Sequence, residues 1–216
     1  MFGNFLLNAA APIYDWLTAQ EIWRRHVRER IASRLPENAR DVLDDGTGPG
    51  VSAFAIAAAR PAVRVVGLDI SGPMIARARP HLAACPDRDR ITLVQGDAMA
   101  LPFPDGAFDG VTGHSFLYLM PDRAKALAEA RRVLHPGGRL VLLEPRAGIR
   151  LPSLRFLAQS LPFGCSMVLW RLVSSVEGRF SETSLASTLT AGGFTVLSVE
   201  PTLGGLGLVA TAEKPG

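Results

Sequence analysis

The stretch from Asp41 to Gly50 carries the clearest chemical signal, because an apolar run ends in acidic residues and leads into a glycine-rich turn. Glycines at positions 46, 48 and 50 permit sharp backbone bends and close approach of a ligand. The carboxylate of Asp44, just ahead of them, suits a cationic or hydroxyl-rich ligand and would repel a pyrophosphate. The alanine-rich segment 51–59 predicts a helix. Strand, glycine loop and helix in this order form a nucleotide-sized crevice in an open α/β sheet.

A second carboxylate, Asp69, ends the next apolar run, one helix and one strand after Gly50. At that place in an α/β fold an acidic side chain faces a ribose, whose two hydroxyl groups its oxygens can bind. The alternative is a helix-capping aspartate. An NAD(P)-binding oxidoreductase would carry Gly-x-Gly-x-x-Gly, with glycine or alanine where this chain has Val51. The spacing therefore disfavours a dinucleotide.

Three segments resemble the class I S-adenosylmethionine-dependent methyltransferases, in the group that includes the ubiquinone/menaquinone biosynthesis enzymes. They are the Asp-x-Gly-x-Gly-x-Gly motif at 44–50, Gly96-Asp97-Ala98 with the Leu-Pro-Phe and Phe-Asp that follow, and His135-Pro136-Gly137-Gly138-Arg139-Leu140. The resemblance covers about residues 40–145 well. It implies S-adenosylmethionine as cofactor and a Rossmann-like fold.

The same resemblance assigns roles to individual residues. It implies that Asp97 accepts a hydrogen bond from the adenine amino group, that the Ala98 backbone N–H donates to a ring nitrogen, and that Met99 packs on the base. The predicted cofactor-binding residues are Asp44, Gly46, Thr47, Gly48, Gly50, Asp69, Ile70, Met74, Asp97, Ala98, Met99 and His114.

The order of elements predicts an α/β fold with a doubly wound, seven-stranded sheet whose last hairpin is antiparallel. The fourth strand is predicted at 108–113, with His114 just past its end, the fifth at 140–143, and the hairpin strands at 194–199 and 206–212. Residues 1–36 are predicted to form an N-terminal helical lid. Residues 37–216 are predicted to form the cofactor-binding domain. The resemblance to the methyltransferases implies an apolar helical substrate cap at 146–180.

Methyl transfer to a nucleophile needs positioning and desolvation, and a base only where the acceptor must first lose a proton. His114, Tyr118 and Tyr14 are the candidate catalytic residues. His114 could equally contact the cofactor or cap the next turn. Asp45 stands where the resembled family usually has an apolar residue; it either alters cofactor affinity or pairs with an arginine.

The strongly apolar segment 146–180 predicts a hydrophobic small-molecule or lipid acceptor, or contact with a membrane surface. Nearly all basic residues are arginine and the formal charge is only +3, with no basic stripe that would indicate nucleic acid. Two cysteines predict neither a disulfide framework nor a metal site. Without a leader or the run of about 18 apolar residues that a spanning helix needs, a cytoplasmic protein is expected. A catalytically silent, cofactor-binding partner subunit stays open, as does the oligomeric state.

Overall fold

The computed structural model describes residues 11–148 and 159–216, with the side chains of the first range described from residue 15 onward. These residues contain seven strands and seven α-helices. The strands are β1 (Asp41–Asp45), β2 (Arg64–Asp69), β3 (Ile91–Gln95), β4 (Phe108–His114), β5 (Leu134–Pro145), β6 (Thr195–Thr202) and β7 (Gly207–Glu213). The helices are α1 (Ala11–Thr18), α2 (Glu21–Arg30), α3 (Val51–Ala59), α4 (Gly72–Ala83), α5 (Arg123–Val133), α6 (Leu161–Glu177) and α7 (Glu182–Ala191).

The strands form one sheet in the order β3-β2-β1-β4-β5-β7-β6. Strands β1 to β5 pair in parallel, whereas β7 pairs antiparallel with both β5 and β6. The chain runs outward from β1 to β3 and then returns to β4 on the other side of β1. The carboxyl ends of β1 and β4 therefore flank the switch point where an open α/β sheet binds its ligands. The predicted fold class is confirmed.

The central strands read as continuous apolar runs because helices cover both faces of the parallel part of the sheet. Val42 and Leu43 in β1 are completely buried, although they point to opposite faces. Ala53 and Ala57 of α3 are also fully buried, and such small side chains bring this helix close to the sheet. The fold thus presses the glycine loop against the ends of β1 and β2.

The helix starts follow local signals in the sequence. Ser71 caps α4, since its hydroxyl oxygen accepts a hydrogen bond from the Met74 N–H. The carboxylate of Asp122 caps α5 in the same way. Ser181 and Ser184 form a reciprocal capping box at the start of α7. The sequence predicts these three starts, because each places a short polar side chain directly before a helical segment.

Several predicted strand boundaries were wrong. His114 is the last residue of β4 rather than a residue beyond it, and β5 begins at Leu134, not at 140. The early start of β5 depends on distant partners: Leu134 pairs with Phe108, and the Gly137 N–H donates to the Lys214 carbonyl. The first hairpin strand extends to Thr202, beyond its predicted end at 199, whereas the second is only shifted by about one residue; a 3₁₀ turn at Leu203–Gly205 lies between them.

The described parts of the predicted lid and cap are helical. The helical spacing of apolar residues over 20–35 predicts one amphipathic helix. In the structure helix α2 ends at Arg30, before a 3₁₀ turn at Ala32–Arg34, so the helix is shorter than this pattern predicts. Residues 1–10 of the predicted lid and 149–158 of the predicted cap lie outside the described residues. Among the helices that are described, none is long and apolar enough to cross a bilayer.

Candidate cofactor and acceptor site

The glycine loop is fastened to the end of β2. The backbone N–H groups of Gly46 and Thr47 both donate to the Leu68 carbonyl, at 2.8 and 2.9 Å. Gly46 has a φ of +73°, and a Cβ built there would lie 3.0 Å from Cδ2 of Phe116. Both the left-handed backbone and the crowding favour glycine at this position. The loop therefore has one rigid course over the sheet edge.

Asp69 holds the glycine loop and the start of α4 together. Its Oδ2 accepts the Gly48 N–H at 2.8 Å, and its Oδ1 accepts the Ser71 N–H at 2.8 Å. Burial raises the pKa of Asp69, while these two N–H donors act in the opposite direction. Each carboxylate oxygen has two lone pairs, so each keeps one acceptor position. Asp69 can thus hold the loop and still bind a pair of hydroxyl groups.

Asp44 and Asp45 are neighbours that face opposite sides of the sheet. Asp44 is fully buried and accepts hydrogen bonds from the Ser52 hydroxyl and, at 2.8 Å, from the Thr112 hydroxyl. Asp44 therefore ties β1 to α3 and β4, and it does not line the cavity described below. Asp45 does line it.

The carboxylate of Asp45 is 2% exposed, and neither of its oxygens has a hydrogen-bond partner among the described residues. One alternative from the sequence is that Asp45 pairs with an arginine. The ion pairs of the described residues include none to Asp45. Burial, reinforced by the charges of Asp44 and Asp69, raises the pKa of Asp45 well above its ordinary value. The crevice thus contains an unpaired buried acid.

The Gly96-Asp97-Ala98 segment forms a tight turn after β3. Oδ1 of Asp97 accepts the Met99 N–H at 2.8 Å, which fixes the turn and leaves the second oxygen of this carboxylate for other partners. A Cβ at Gly96 would lie 2.8 Å from Cδ1 of Leu68, so this position also favours glycine. The turn brings Asp97, Ala98 and Met99 to the cavity.

His114 ends β4 beside the glycine loop. Its side chain is 14% exposed, and its Nε2 lies 3.9 Å from Oδ1 of Asp44, beyond hydrogen-bond distance. Within the described chain, this nitrogen is buried without a hydrogen-bond partner. Burial lowers the pKa of His114, with the Asp44 charge acting in the opposite direction. The imidazole is consequently neutral at pH 7 and able to accept a proton.

Glu144, near the end of β5, organises the segment after His114. Its fully buried carboxylate accepts the backbone N–H groups of Phe116 (3.2 Å), Leu117 (2.8 Å) and Tyr118 (3.1 Å). Burial raises the pKa of Glu144 to about 7, although the three N–H donors oppose this shift. Sequence reasoning missed Glu144. An acidic residue at the end of an apolar strand beside the switch point was the available signal.

The glycine loop, Asp69, the turn at 96–99 and His114 border a cavity of about 310 Å³, which is within the size range of small-molecule sites. The sheet edge contributes acidic and glycine residues, whereas helices α1, α2 and α6 contribute an apolar wall. No lysine or arginine lines the cavity in the described portion of the protein. The wall comprises Leu17, Trp23, Val27, Leu169, Trp170 and Val173.

Aromatic contacts join α2 and α6, two of the three helices of this wall. The ring of Trp23 in α2 lies 5.7 Å from that of Phe163 and 6.5 Å from that of Trp170, both in α6. The Trp23 indole N–H also donates to the Ser166 hydroxyl at 3.2 Å. Residues far apart in sequence thus close one side of the cavity, and local patterns could not have shown which of them meet.

On its outer side, α6 exposes apolar residues, among them Leu161, Leu172 and Val176. Contact of these residues with a membrane surface stays a prediction. The boundary between the lid (1–36) and the cofactor-binding domain (37–216) also stays a prediction.

Most of the predicted site residues meet at the cavity. Those that line it are Gly46, Thr47, Gly48, Asp69, Ile70, Met74, Asp97, Ala98, Met99, His114 and Tyr118. Asp44 and Gly50 do not line it. Tyr14 belongs to α1, but its side chain lies outside the described part of the chain. Ser115, Phe116 and Leu119 also line the cavity, although no role was predicted for any of them.

The comparisons with known proteins agree with this geometry. A family model described as a methyltransferase domain matches residues 43–142. A demethylmenaquinone methyltransferase from Thermus thermophilus is 34% identical over 207 residues, which cover 88% of this chain and 92% of that protein. The chain belongs to the class I S-adenosylmethionine-dependent methyltransferases. This membership excludes the interpretation as an NAD(P)-binding oxidoreductase.

Other members of this methyltransferase family match over shorter lengths. The ubiquinone/menaquinone biosynthesis C-methyltransferase UbiE of Geobacter sulfurreducens is 40% identical over 159 residues, which cover 68% of this chain and 61% of that protein. The match thus spans about three fifths of that relative.

The solved structure of the [4+2]-cyclase SpnF has a TM-score of 0.76 at 19% identity, covering 98% of this chain and 95% of that one. This last likeness shows the fold alone.

Proposed function

We propose that this methyltransferase transfers the methyl group of S-adenosylmethionine to a hydrophobic small molecule or lipid. The observation that carries the proposal is the contrast within one cavity: an acidic sheet edge beside an apolar helical wall. Asp45, Asp69 and Asp97 supply its acidic side chains, and no cationic side chain of the described residues lines it. Such a lining favours a cation over a pyrophosphate. Relatives that by name methylate quinone precursors also support an apolar acceptor.

The cofactor fits the polar edge of the cavity. Asp69 keeps acceptor positions for the ribose hydroxyls, and the free oxygen of Asp97 suits an amino group of the base. Ile70 and Met99 line the same cavity and offer apolar surface for such a base. S-adenosylmethionine, when bound, supplies an electrophilic methyl group on a sulfonium. The protein's own contribution is to orient this group and to exclude water with the helical wall.

His114 is the side chain proposed to handle the acceptor's proton. The glycine loop, Asp69 and Asp97 would hold S-adenosylmethionine, which would supply the methyl group and leave as the neutral thioether. The unpartnered Nε2 of His114 would accept the acceptor's proton. A neutral imidazole is the form that accepts a proton, and burial keeps it neutral. Tyr118 lines the same region, but Glu144 holds its backbone and its side chain is buried.

His114→Asn is expected to lower the turnover number by about 100-fold, the usual contribution of a positioned base. The dissociation constant of S-adenosylmethionine should change less than twofold, since the glycine loop and Asp69 are untouched. Single-turnover methyl transfer and calorimetry measure the two quantities separately. The matched control is His135→Asn, a change at an exposed histidine that does not line the cavity. Equal turnover in the two variants would remove His114 from the mechanism.

Calorimetric titration with S-adenosylmethionine and with NADH tests the cofactor assignment. We expect micromolar binding of the former and none of the latter. The acceptor is tested with labelled S-adenosylmethionine and two probes, a reduced short-chain naphthoquinone and catechol, which lacks the apolar body. Label should enter the naphthoquinol and not the catechol. Preferential methylation of catechol would contradict a hydrophobic acceptor, and absence of S-adenosylmethionine binding would contradict the function as a whole.

A further inference from the structure

Asp45 differs from the other carboxylates of the cavity because it has no hydrogen-bond partner within the described chain. Asp69 accepts two backbone N–H groups and Asp97 accepts one. We propose that Asp45 is a charge-selecting residue of the cofactor site, which favours the positively charged sulfonium cofactor over the neutral thioether product. The inference rests on the proposed function and names a residue that determines ligand preference within it.

The position of Asp45 in the sheet gives it no counter-ion among the described residues. It is the last residue of β1, and its partners on the flanking strands are Leu68 in β2 and Gly113 in β4. Neither partner can donate a side-chain hydrogen bond. Because side chains alternate along a strand, Ser52 and Thr112 satisfy Asp44 on one face and leave Asp45 unsatisfied on the other.

The titratable groups around Asp45 are acidic or neutral. Asp44 precedes it, Asp69 ends β2, and Asp97 follows β3; all three charges disfavour ionisation of Asp45. The neutral imidazole of His114 lines the same cavity. Only the nearby Gly46 N–H lowers the pKa of Asp45, although the hydrogen bond that this N–H makes goes to the Leu68 carbonyl. No cationic side chain lines the cavity among the residues described, so within this part of the chain a positive charge beside Asp45 would be that of a bound ligand.

An unpaired buried carboxylate has two ways to avoid the cost of its isolated charge. It binds a proton, which the burial and the neighbouring acids favour, or it ionises beside a cation. A cation that enters the cavity therefore exchanges with the proton of Asp45. The ionised carboxylate then stabilises that cation across a medium of low dielectric constant, where such an interaction is strong.

The cofactor and its product differ by one methyl group and the positive charge on sulfur. Asp45 therefore stabilises the ligand before transfer and loses its counter-charge afterwards. The cavity then holds the neutral thioether product, and the Asp45 carboxylate binds its proton again. The consequence is weaker product binding, which favours product release.

The test is calorimetry on the wild type and on Asp45→Asn with three ligands: S-adenosylmethionine, S-adenosylhomocysteine, and sinefungin, whose amine places a positive charge near the sulfur position. In the wild type both cationic ligands should bind more tightly than the neutral product. Asp45→Asn is expected to reduce this preference about tenfold. Titrations in buffers of different ionisation enthalpy should show proton release with S-adenosylmethionine in the wild type and not in the variant.

Asp105→Asn is the matched control, since it removes one negative charge from a carboxylate whose side chain is 82% exposed. It should leave the ligand preference unchanged. Asp45→Leu replaces Asp45→Asn if the latter does not fold. Equal weakening of all three ligands, or tighter binding of all three, would overturn the role of Asp45 and leave the methyltransferase function standing. A wild type that binds none of the three would overturn both.

Discussion

Asp69→Ala is expected to weaken S-adenosylmethionine binding by about 100-fold, which corresponds to about 2.7 kcal/mol. The carboxylate is proposed to bind two ribose hydroxyls, and hydrogen bonds to a charged group contribute about 1.5–3 kcal/mol each. The same change removes the acceptor of the Gly48 and Ser71 N–H groups, which fixes the loop. Calorimetry gives the dissociation constant, and thermal unfolding without ligand gives the effect on the protein itself.

Two variants separate these effects of Asp69. Asp69→Asn keeps one oxygen for a backbone N–H but loses the charge, so we expect an intermediate loss of affinity. Asp41→Ala removes an aspartate at the opposite end of the adjacent strand, where it pairs with Arg64, and should leave affinity unchanged. If Asp69→Ala loses less than threefold in affinity while its unfolding temperature falls, Asp69 supports the loop and does not bind the cofactor.

Glu144→Ala is expected to lower the free energy of unfolding by about 3–5 kcal/mol, because three backbone N–H groups lose their common acceptor and each buried unsatisfied donor costs about 1–3 kcal/mol. Water that enters the vacated space can accept some of these hydrogen bonds, which keeps the loss below the sum of three such costs. Urea unfolding followed by circular dichroism measures the difference. Glu144→Gln is the matched control: it keeps the size and one acceptor oxygen, and it should lose about half as much. A loss below about 1 kcal/mol in Glu144→Ala would show that the 116–118 turn does not need this side chain.

The pH dependence of the same pair of proteins checks the ionisation of Glu144. Its pKa is about 7 in the folded protein, above the ordinary value of 4.5. The folded state therefore binds this proton more tightly than the unfolded state. The stabilising contribution is complete below pH 4.5 and is lost as the pH rises through 7. The stability advantage of the wild type over Glu144→Gln should thus shrink between pH 5 and pH 8; an advantage that grows over this range would contradict the raised pKa.

Much of this fold could be predicted because its signals are local. Apolar runs of the right length marked the central strands, and Ser71 and Asp122 marked helix starts through caps that need only the next few residues. The start of β5 at Leu134 could not be predicted in this way. It depends on Phe108 and on the carbonyl of Lys214, which lie far away along the chain.

The polar edge of the site was predicted better than its apolar wall. Glycine spacing and the acidic strand ends are properties of short segments, whereas the contact between Trp23 and Trp170 requires the whole fold. The motif also drew attention to Asp44, although the alternation of side chains along β1 places Asp45 against the cavity. A motif fixes positions along the chain, but the faces of the sheet decide which of two neighbouring residues meets a ligand.

The apolar wall has an evolutionary consequence. Leu17, Trp23, Leu169 and Trp170 all lie outside residues 43–142, the span that matches the family model. The two walls of one cavity therefore come from different stretches of gene. Substitutions in α1, α2 and α6 can reshape the space proposed for the acceptor, while the loop, Asp69 and Asp97, which are proposed to bind the methyl donor, stay as they are. Lineages can exchange one methyl acceptor for another without rebuilding the machinery that holds the methyl donor.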